Sequence, residues 1–459
     1  MRSTAKCYSE LRAYCEDIPL IDCHDHSGVC GPKYEDPIQV VLAGYFHSDA
    51  HSASSDSDIA FLEDKIRSLD ERWPVLERVW KRTCHTGYAQ VSRRVLKEFY
   101  GEETLTLDAL KRMESNLLDL TDPQIFEGIL ERAGIVGRVL DIWPDTRQVL
   151  DHSLELTPRG FLAISLPQFH SVRSYTEVQQ RVAALNRTIT SLDEYLEACR
   201  QIFEGHKAFG AVTFKDQSAY NRTLVYGNPT KAQAEEVFNW LMADPRRSAS
   251  YPEGVKPLDD FLFNAFMRMA RDLDLPVQVH TGHMAGIRND IVKTNAIGLT
   301  SVIELHRDVR FDIFHANWPY SGELLFLGKN YPNVSLDFCW ANIIDPVYSQ
   351  NLFKQALSSV PHGKIHGYGS DYGGSVDRAW AHASIARDNI AIALADMVDM
   401  EYLDLDEAKD VAYSWLFSNA NEFFKLGLKH AAPQARAPVV EPDVTLFSSS
   451  LKHEPEMAE

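Results

Sequence analysis

The sequence is poor in the features that tie a chain to a membrane, a nucleic acid or an oxidising compartment. Its 459 residues include seven cysteines, at positions 7, 15, 23, 30, 84, 199 and 339. The number is odd and no CxxC pair occurs, which argues for free thiols in a reducing compartment rather than a disulfide framework or a cysteine-zinc module. No apolar run approaches the ~18 residues that cross a bilayer; one of the longest, IAIALADMV from Ile390, is about half that. The opening stretch, MRSTAKCYSELRAYCEDIPL, lacks the apolar core and small-residue cleavage motif of a signal peptide. Basic charge is also short, with 46 Lys and Arg against 65 Asp and Glu and a formal net charge of −19. An acidic surface repels phosphate backbones and anionic lipid, so neither nucleic acid nor membrane is expected as the main partner. A small molecule remains open, even an anionic one, because a pocket can differ in sign from the whole. The expectation is a cytoplasmic protein, alone or as a homo-oligomer. No internal repeat is visible.

What is present is enough for a large core, with 45% apolar and 24% charged residues. Division by about 150 residues per domain suggests three domains. An α/β barrel, however, runs as one unit from about 200 to beyond 400 residues. Short runs rich in β-branched or aromatic residues alternate with helical patterns. They predict strands at 19–26, 137–142, 161–167, 210–215, 276–280, 310–316, 334–340 and 364–371. Eight strands separated by helices match a (β/α)8 TIM barrel, although an open doubly wound sheet also alternates. Two regions break the rhythm. About a hundred residues separate the first two strands, with a polar piece (HSDAHSASSDSD) and then helical patterns such as FLEDKIRSLDERWPVLERVWKR. A loop that long is usually a lid or a partner surface. The reading is one barrel over 1–430 with a helical insertion at about 35–130, followed by a loosely held tail at 431–459.

The chemistry lies at the strand ends. His24 and His26 alternate with Cys23 and Asp25, so on a regular strand both imidazoles share a face and can reach one divalent ion. Cys23 should then face the helix layer. His280 closes the fifth predicted strand, with His283 in the loop beyond it lining the pocket. His315 closes the sixth, Asp371 the eighth, and Lys215 the fourth. Each has a bland alternative: a half-buried strand-end histidine, or a lysine whose amine reaches solvent. The joint placement outweighs these, because barrel active sites are built at the carboxyl ends of strands. Arg288, in HTGHMAGIRND, can hold a substrate carboxylate bidentately, or it is a surface charge. Trp318 can stack on a substrate ring or pack the wall.

These residues resemble the amidohydrolase superfamily of metal-dependent (β/α)8 enzymes. HANWPY and FKDQSAYNR look like its amidohydrolase-related (amidohydrolase 2) branch, which includes nodulin/FluG-type proteins. QVHTGHMAGIRND, and HTGYAQVSRRVLKEFYG inside the insertion, are similar to uronate isomerases. The resemblance covers about 18–425. It implies metal ligation by His24, His26 and Asp371, with His280 as a further ligand and His315 as a polarising or acid–base residue. Two departures stand out. SDYGGS differs from the surroundings expected of the last Asp in uronate isomerases. FKDQSAY fits the one-metal branch better than the branch whose strand-four lysine is carbamylated. The expectation is a hydrolase with one divalent ion, zinc before manganese, and Asp371, His315 and Lys215 as catalytic residues. Arg288, His283 and Trp318 are expected to bind substrate. Uronate isomerisation and non-oxidative decarboxylation are alternatives on the same scaffold. A non-catalytic metal- or ligand-binding regulator is an alternative of another class.

Overall fold

The computed structural model describes residues 4–433. Of the tail expected at 431–459, all but the first three residues lie outside the described residues. Eight parallel strands follow in chain order around one sheet: β1 (Leu20–Asp25), β2 (Ile135–Leu140), β3 (Gly160–Ser165), β4 (Thr213–Asp216), β5 (Val277–Val279), β6 (Phe311–Ile313), β7 (Val334–Asp337) and β8 (Ile365–His366). Backbone hydrogen bonds from Cys23 N to Tyr368 O (3.1 Å) and from Asp371 N to His24 O (2.8 Å) join β1 to the chain beyond β8. The fold is a (β/α)8 barrel. The same two bonds set Asp371 beside His24.

The strands are shorter than their apolar runs. β8 ends at His366, so Asp371 lies in the loop beyond it rather than at the strand end, and His315 likewise lies past β6 in a tight turn. Both residues are in the left-handed region (φ +60° and +58°), as are Ala316 and Asn317. Such conformations cost of order 1–3 kcal/mol each and persist only where the surroundings hold them, commonly at functional sites. Here the turn after β6 re-aims His315 towards the barrel mouth.

Between β1 and β2 the described chain forms seven helices, from Pro37 to Arg132. The stretch read as one helical pattern from Phe61 divides into Asp56–Glu63 and Leu69–Thr83. Ser55 with Asp58, and Ser68 with Glu71, form capping boxes that start each helix afresh. Part of the polar piece is itself helical, Phe46–Ser52, because Phe46 and Ala50 lie one turn apart and are both buried. A fully buried Arg138 on β2 holds β1 in place: Nε and Nη2 donate to Asp25 Oδ2 (3.1 Å) and Oδ1 (3.0 Å). No helix among the described residues is long and apolar enough to cross a membrane.

Candidate metal centre and active site

Side chains from five segments meet over the barrel mouth. His24 Nε2 and His26 Nε2 lie 3.2 Å and 3.1 Å from the same oxygen, Asp371 Oδ1. Lys215 Nζ lies 3.3 Å from His24 Nε2 and 3.6 Å over the Phe314 ring. His280 Nε2 donates to the His283 carbonyl (2.9 Å), which leaves Nδ1 to accept from His315 Nε2, also at 2.9 Å. His315 Nε2 is 3.9 Å from Asp371 Oδ2. His24, His26 and Asp371 are therefore in direct contact, whereas His280 joins them through His315.

The donor set fits a divalent cation. His26 Nδ1 donates to the Asp141 carbonyl (2.7 Å), so a neutral His26 presents its Nε2 lone pair to the centre. Burial, followed by the charge of Lys215, holds His24 well below its ordinary pKa and brings His280 down to about 3. Neutral imidazole is the form that ligates. Burial raises the Asp371 carboxyl, but the imidazoles of His24 and His26 more than offset this and keep it ionised. Two imidazole nitrogens then each lie within 3.2 Å of one carboxylate oxygen, an arrangement that a cation or a proton must reconcile. Without a cation the proton resides on His26. Burial opposes its imidazolium, yet the hydrogen bond to Asp371 and the charge of Asp141 raise its pKa to about 9. A metal competes with that proton below about pH 9, so apparent affinity should rise roughly tenfold per pH unit between about pH 6 and 9. Metal-buffer competition checks this slope, and an affinity independent of pH contradicts it.

A cavity of about 480 Å³ opens above these groups. Among its lining are residues that strand-end reasoning passed over: Tyr45, Asp141, Trp143, Arg181, Gln217 and Tyr220. Asp141 follows β2 at the rim, as the recognised residues follow theirs, and that position was its signal. Its Oδ1 accepts from Trp143 Nε1 (2.9 Å) and its Oδ2 from Gln217 Nε2 (3.1 Å). Tyr45 comes from the inserted helices, donates a short hydrogen bond to the Asp371 carbonyl and packs on Trp340 and Tyr372. Tyr220 lies against the His280 ring. Arg181 ends a helix in the β3–β4 connection, and its buried Nε has no hydrogen-bond partner. Neither Tyr45 nor Arg181 carried a motif.

Three residues expected at the substrate do not line this cavity. Arg288 points outward, is 74% exposed and pairs with Asp56 of the insertion at 3.2 Å. The His283 ring packs between Trp318 and Trp340, and Trp318 lies against His283 and Tyr348. Cys23 does not face the helix layer: it offers its sulfur to Asp337 and His366, within 4.8 Å. The β1–β2 register shifts between Asp22 and Asp25, which breaks the two-residue alternation on which that expectation rested.

Residues 247–426 match the family model described as Amidohydrolase. The match takes in β5 to β8 with His280, His315 and Asp371, and it leaves out the His24–His26 pair. Over that stretch, about two fifths of its length, the chain is similar to the amidohydrolases. Protein fluG of Emericella nidulans is 26% identical over 180 residues, 37% of this chain. The matched stretch spans only a fifth (20%) of that longer relative. In fold, this amidohydrolase-like barrel is similar to glucuronate isomerase from Caulobacter crescentus, with a TM-score of 0.70 at 17% identity over 95% of this chain and 98% of that one. It is also similar to uronate isomerase from Thermotoga maritima, with a TM-score of 0.72 at 13% identity over 92% of this chain and 98% of that one. Coverage that high includes most of the helical segment between β1 and β2.

Proposed function

We propose that the chain is a metal-dependent hydrolase acting on a small, carboxylate-bearing substrate. The observation that carries this reading is the approach of His24 Nε2 and His26 Nε2 to the same oxygen, Asp371 Oδ1, each within 3.2 Å, with Lys215 beside them. These ligands, with His280 as a further one, would hold one divalent ion. The nitrogen-rich set favours zinc, with manganese as the alternative. When bound, such an ion supplies Lewis acidity and makes water acidic enough to attack near neutral pH.

The remaining steps fall to the chain's own groups. Asp371 Oδ2, the oxygen not held by His24 and His26, takes the proton of the attacking water and passes it to the leaving group. Lys215 and His315 polarise the scissile carbonyl and stabilise the charge that develops on its oxygen. Arg181, rather than the outward-facing Arg288, receives the substrate carboxylate, because it lines the cavity with an unsatisfied Nε. A charge-assisted hydrogen bond of about 1.5–3 kcal/mol corresponds to roughly ten- to hundredfold in affinity. Arg181→Met should therefore raise KM by that factor with little change in kcat. Steady-state kinetics checks the split; an unchanged KM contradicts the assignment.

Uronate isomerisation is the second reading, favoured by fold likeness that includes the inserted helices. There Asp371 and His315 would move a proton between adjacent carbons. A panel of N-acyl compounds, uronates and carboxylated aromatics separates the chemistries by product: net uptake of water, aldose–ketose conversion, or release of carbon dioxide. Hydrolysis of an N-acyl compound supports the proposal. Turnover of uronates alone, without uptake of water, replaces it with the second reading.

A further inference from the structure

One layer below the mouth, the barrel interior is polar where branched apolar side chains usually fill it. Gln278 on β5 reaches across to the Cys23 carbonyl on β1 (3.0 Å) and lies 3.4 Å from Asp312 Oδ2 on β6, which places this layer inside the barrel. His366 on β8 completes the set: its Nδ1 is 3.0 Å from Asp312 Oδ1 and 4.0 Å from Asp337 Oδ2 on β7. Cys23, Asp337 and His366 each bring a ligand atom within 4.8 Å of the other two. All four potential ligands, Asp312 included, are buried, and Asp337 Oδ2 has no hydrogen-bond partner. The cation whose charge is felt at Asp337 is that of Lys215, which belongs to the mouth above.

Two carboxylates buried together are costly unless something positive lies between them. His366 can neutralise one. A proton shared with Asp312 relieves the pair in part, and Asp337 Oδ2, which has no hydrogen-bond partner, is left to face the thiol and the imidazole. The geometry points to a second, structural metal site in the barrel floor, with Cys23, Asp337 and His366 as ligands to a zinc-class ion and Asp312 as the fourth donor. Thiolate, imidazole and carboxylate all bind zinc, and one thiolate, one imidazole and two carboxylates would fill its four tetrahedral positions. The ligand atoms of Cys23, Asp337 and His366 lie within 4.8 Å of one another and need a modest contraction around bonds of about 2.0–2.3 Å, whereas Asp312, 3.0 Å from His366 Nδ1, would exchange that contact for one to the ion. The ion would tie β1, β6, β7 and β8 together directly beneath His24, His315 and Asp371.

The test uses the full-length chain loaded with zinc or cobalt alone, freed of loosely held metal by gel filtration. Elemental analysis of His24→Ala/His26→Ala, which disables the mouth centre, should still find about one equivalent of zinc. Adding Cys23→Ser should bring it close to zero. In the cobalt-loaded protein a near-ultraviolet thiolate-to-cobalt band should survive His24→Ala/His26→Ala and Cys339→Ser and disappear in Cys23→Ser. Cys339 is the necessary control, since it lies beside His315 and Asp371. If Cys23→Ser fails to fold, zinc-edge absorption of the Cys339→Ser protein decides the same question through the presence or absence of sulfur in the coordination shell. A metal-free mouth variant that remains folded overturns the inference, as does a thiolate band lost with Cys339. Loss of the mouth centre alone leaves it standing, so the two sites fail separately.

Discussion

Asp371→Asn should lower kcat about 10²–10⁴-fold, the range that general acid–base groups typically contribute. The backbone bond from Asp371 N to His24 O (2.8 Å) and the short hydrogen bond from Tyr45 to the Asp371 carbonyl both survive the substitution, so the side chain stays in place. What is lost is the ability of Oδ2 to take a proton. An amide also presents a donor where His24 and His26 meet a carboxylate oxygen, so metal affinity should fall with the rate. The kinetics are therefore measured at saturating metal, where a residual loss of about a hundredfold or more reports proton transfer rather than occupancy. Full recovery of the rate at saturating metal would reduce Asp371 to a ligand.

The largest effect on stability is expected from Arg138→Met. Arg138 and Asp25 are fully buried and held by two hydrogen bonds. Removing the cation leaves an uncompensated carboxylate on the strand that carries His24 and His26. Breaking a buried pair from one side typically costs about 3–5 kcal/mol. Replacing both partners is far milder, so Asp25→Asn/Arg138→Met should recover a good part of the loss. Denaturant unfolding of the single and double variants measures both. A single variant within about 1 kcal/mol of the parent would mean that the pair does not secure β1.

The barrel was legible because each strand announces itself as a short β-rich run, and five of the eight carry a histidine, lysine or aspartate at or near the rim. Residues at those ends, His24, His26, Lys215, His280, His315 and Asp371, could be grouped from the sequence alone, since parallel strands bring their carboxyl ends to one face. Asp141 obeys the same rule, but it stood one residue inside the run read to Ile142, whereas β2 ends at Leu140. Side-chain direction was less legible. Period-two alternation sent Cys23 to the wrong layer, because a register shift in β1 leaves no mark in the sequence. Arg288 stood beside recognisable histidines, yet its loop carries it out to Asp56. Arg181 and Tyr45 reach the cavity from a connecting helix and from the insertion, and their approach depends on tertiary packing that no local pattern encodes.

The most direct test of metal-dependent hydrolysis at the mouth is turnover of an N-acyl substrate in ¹⁸O-labelled water, before and after exhaustive chelation, with His24→Ala alongside. The expected result is one solvent oxygen in each carboxylate product. The reaction should be lost on chelation, regained with zinc, and absent in His24→Ala at any zinc concentration. Turnover that persists through chelation and in His24→Ala would contradict the account.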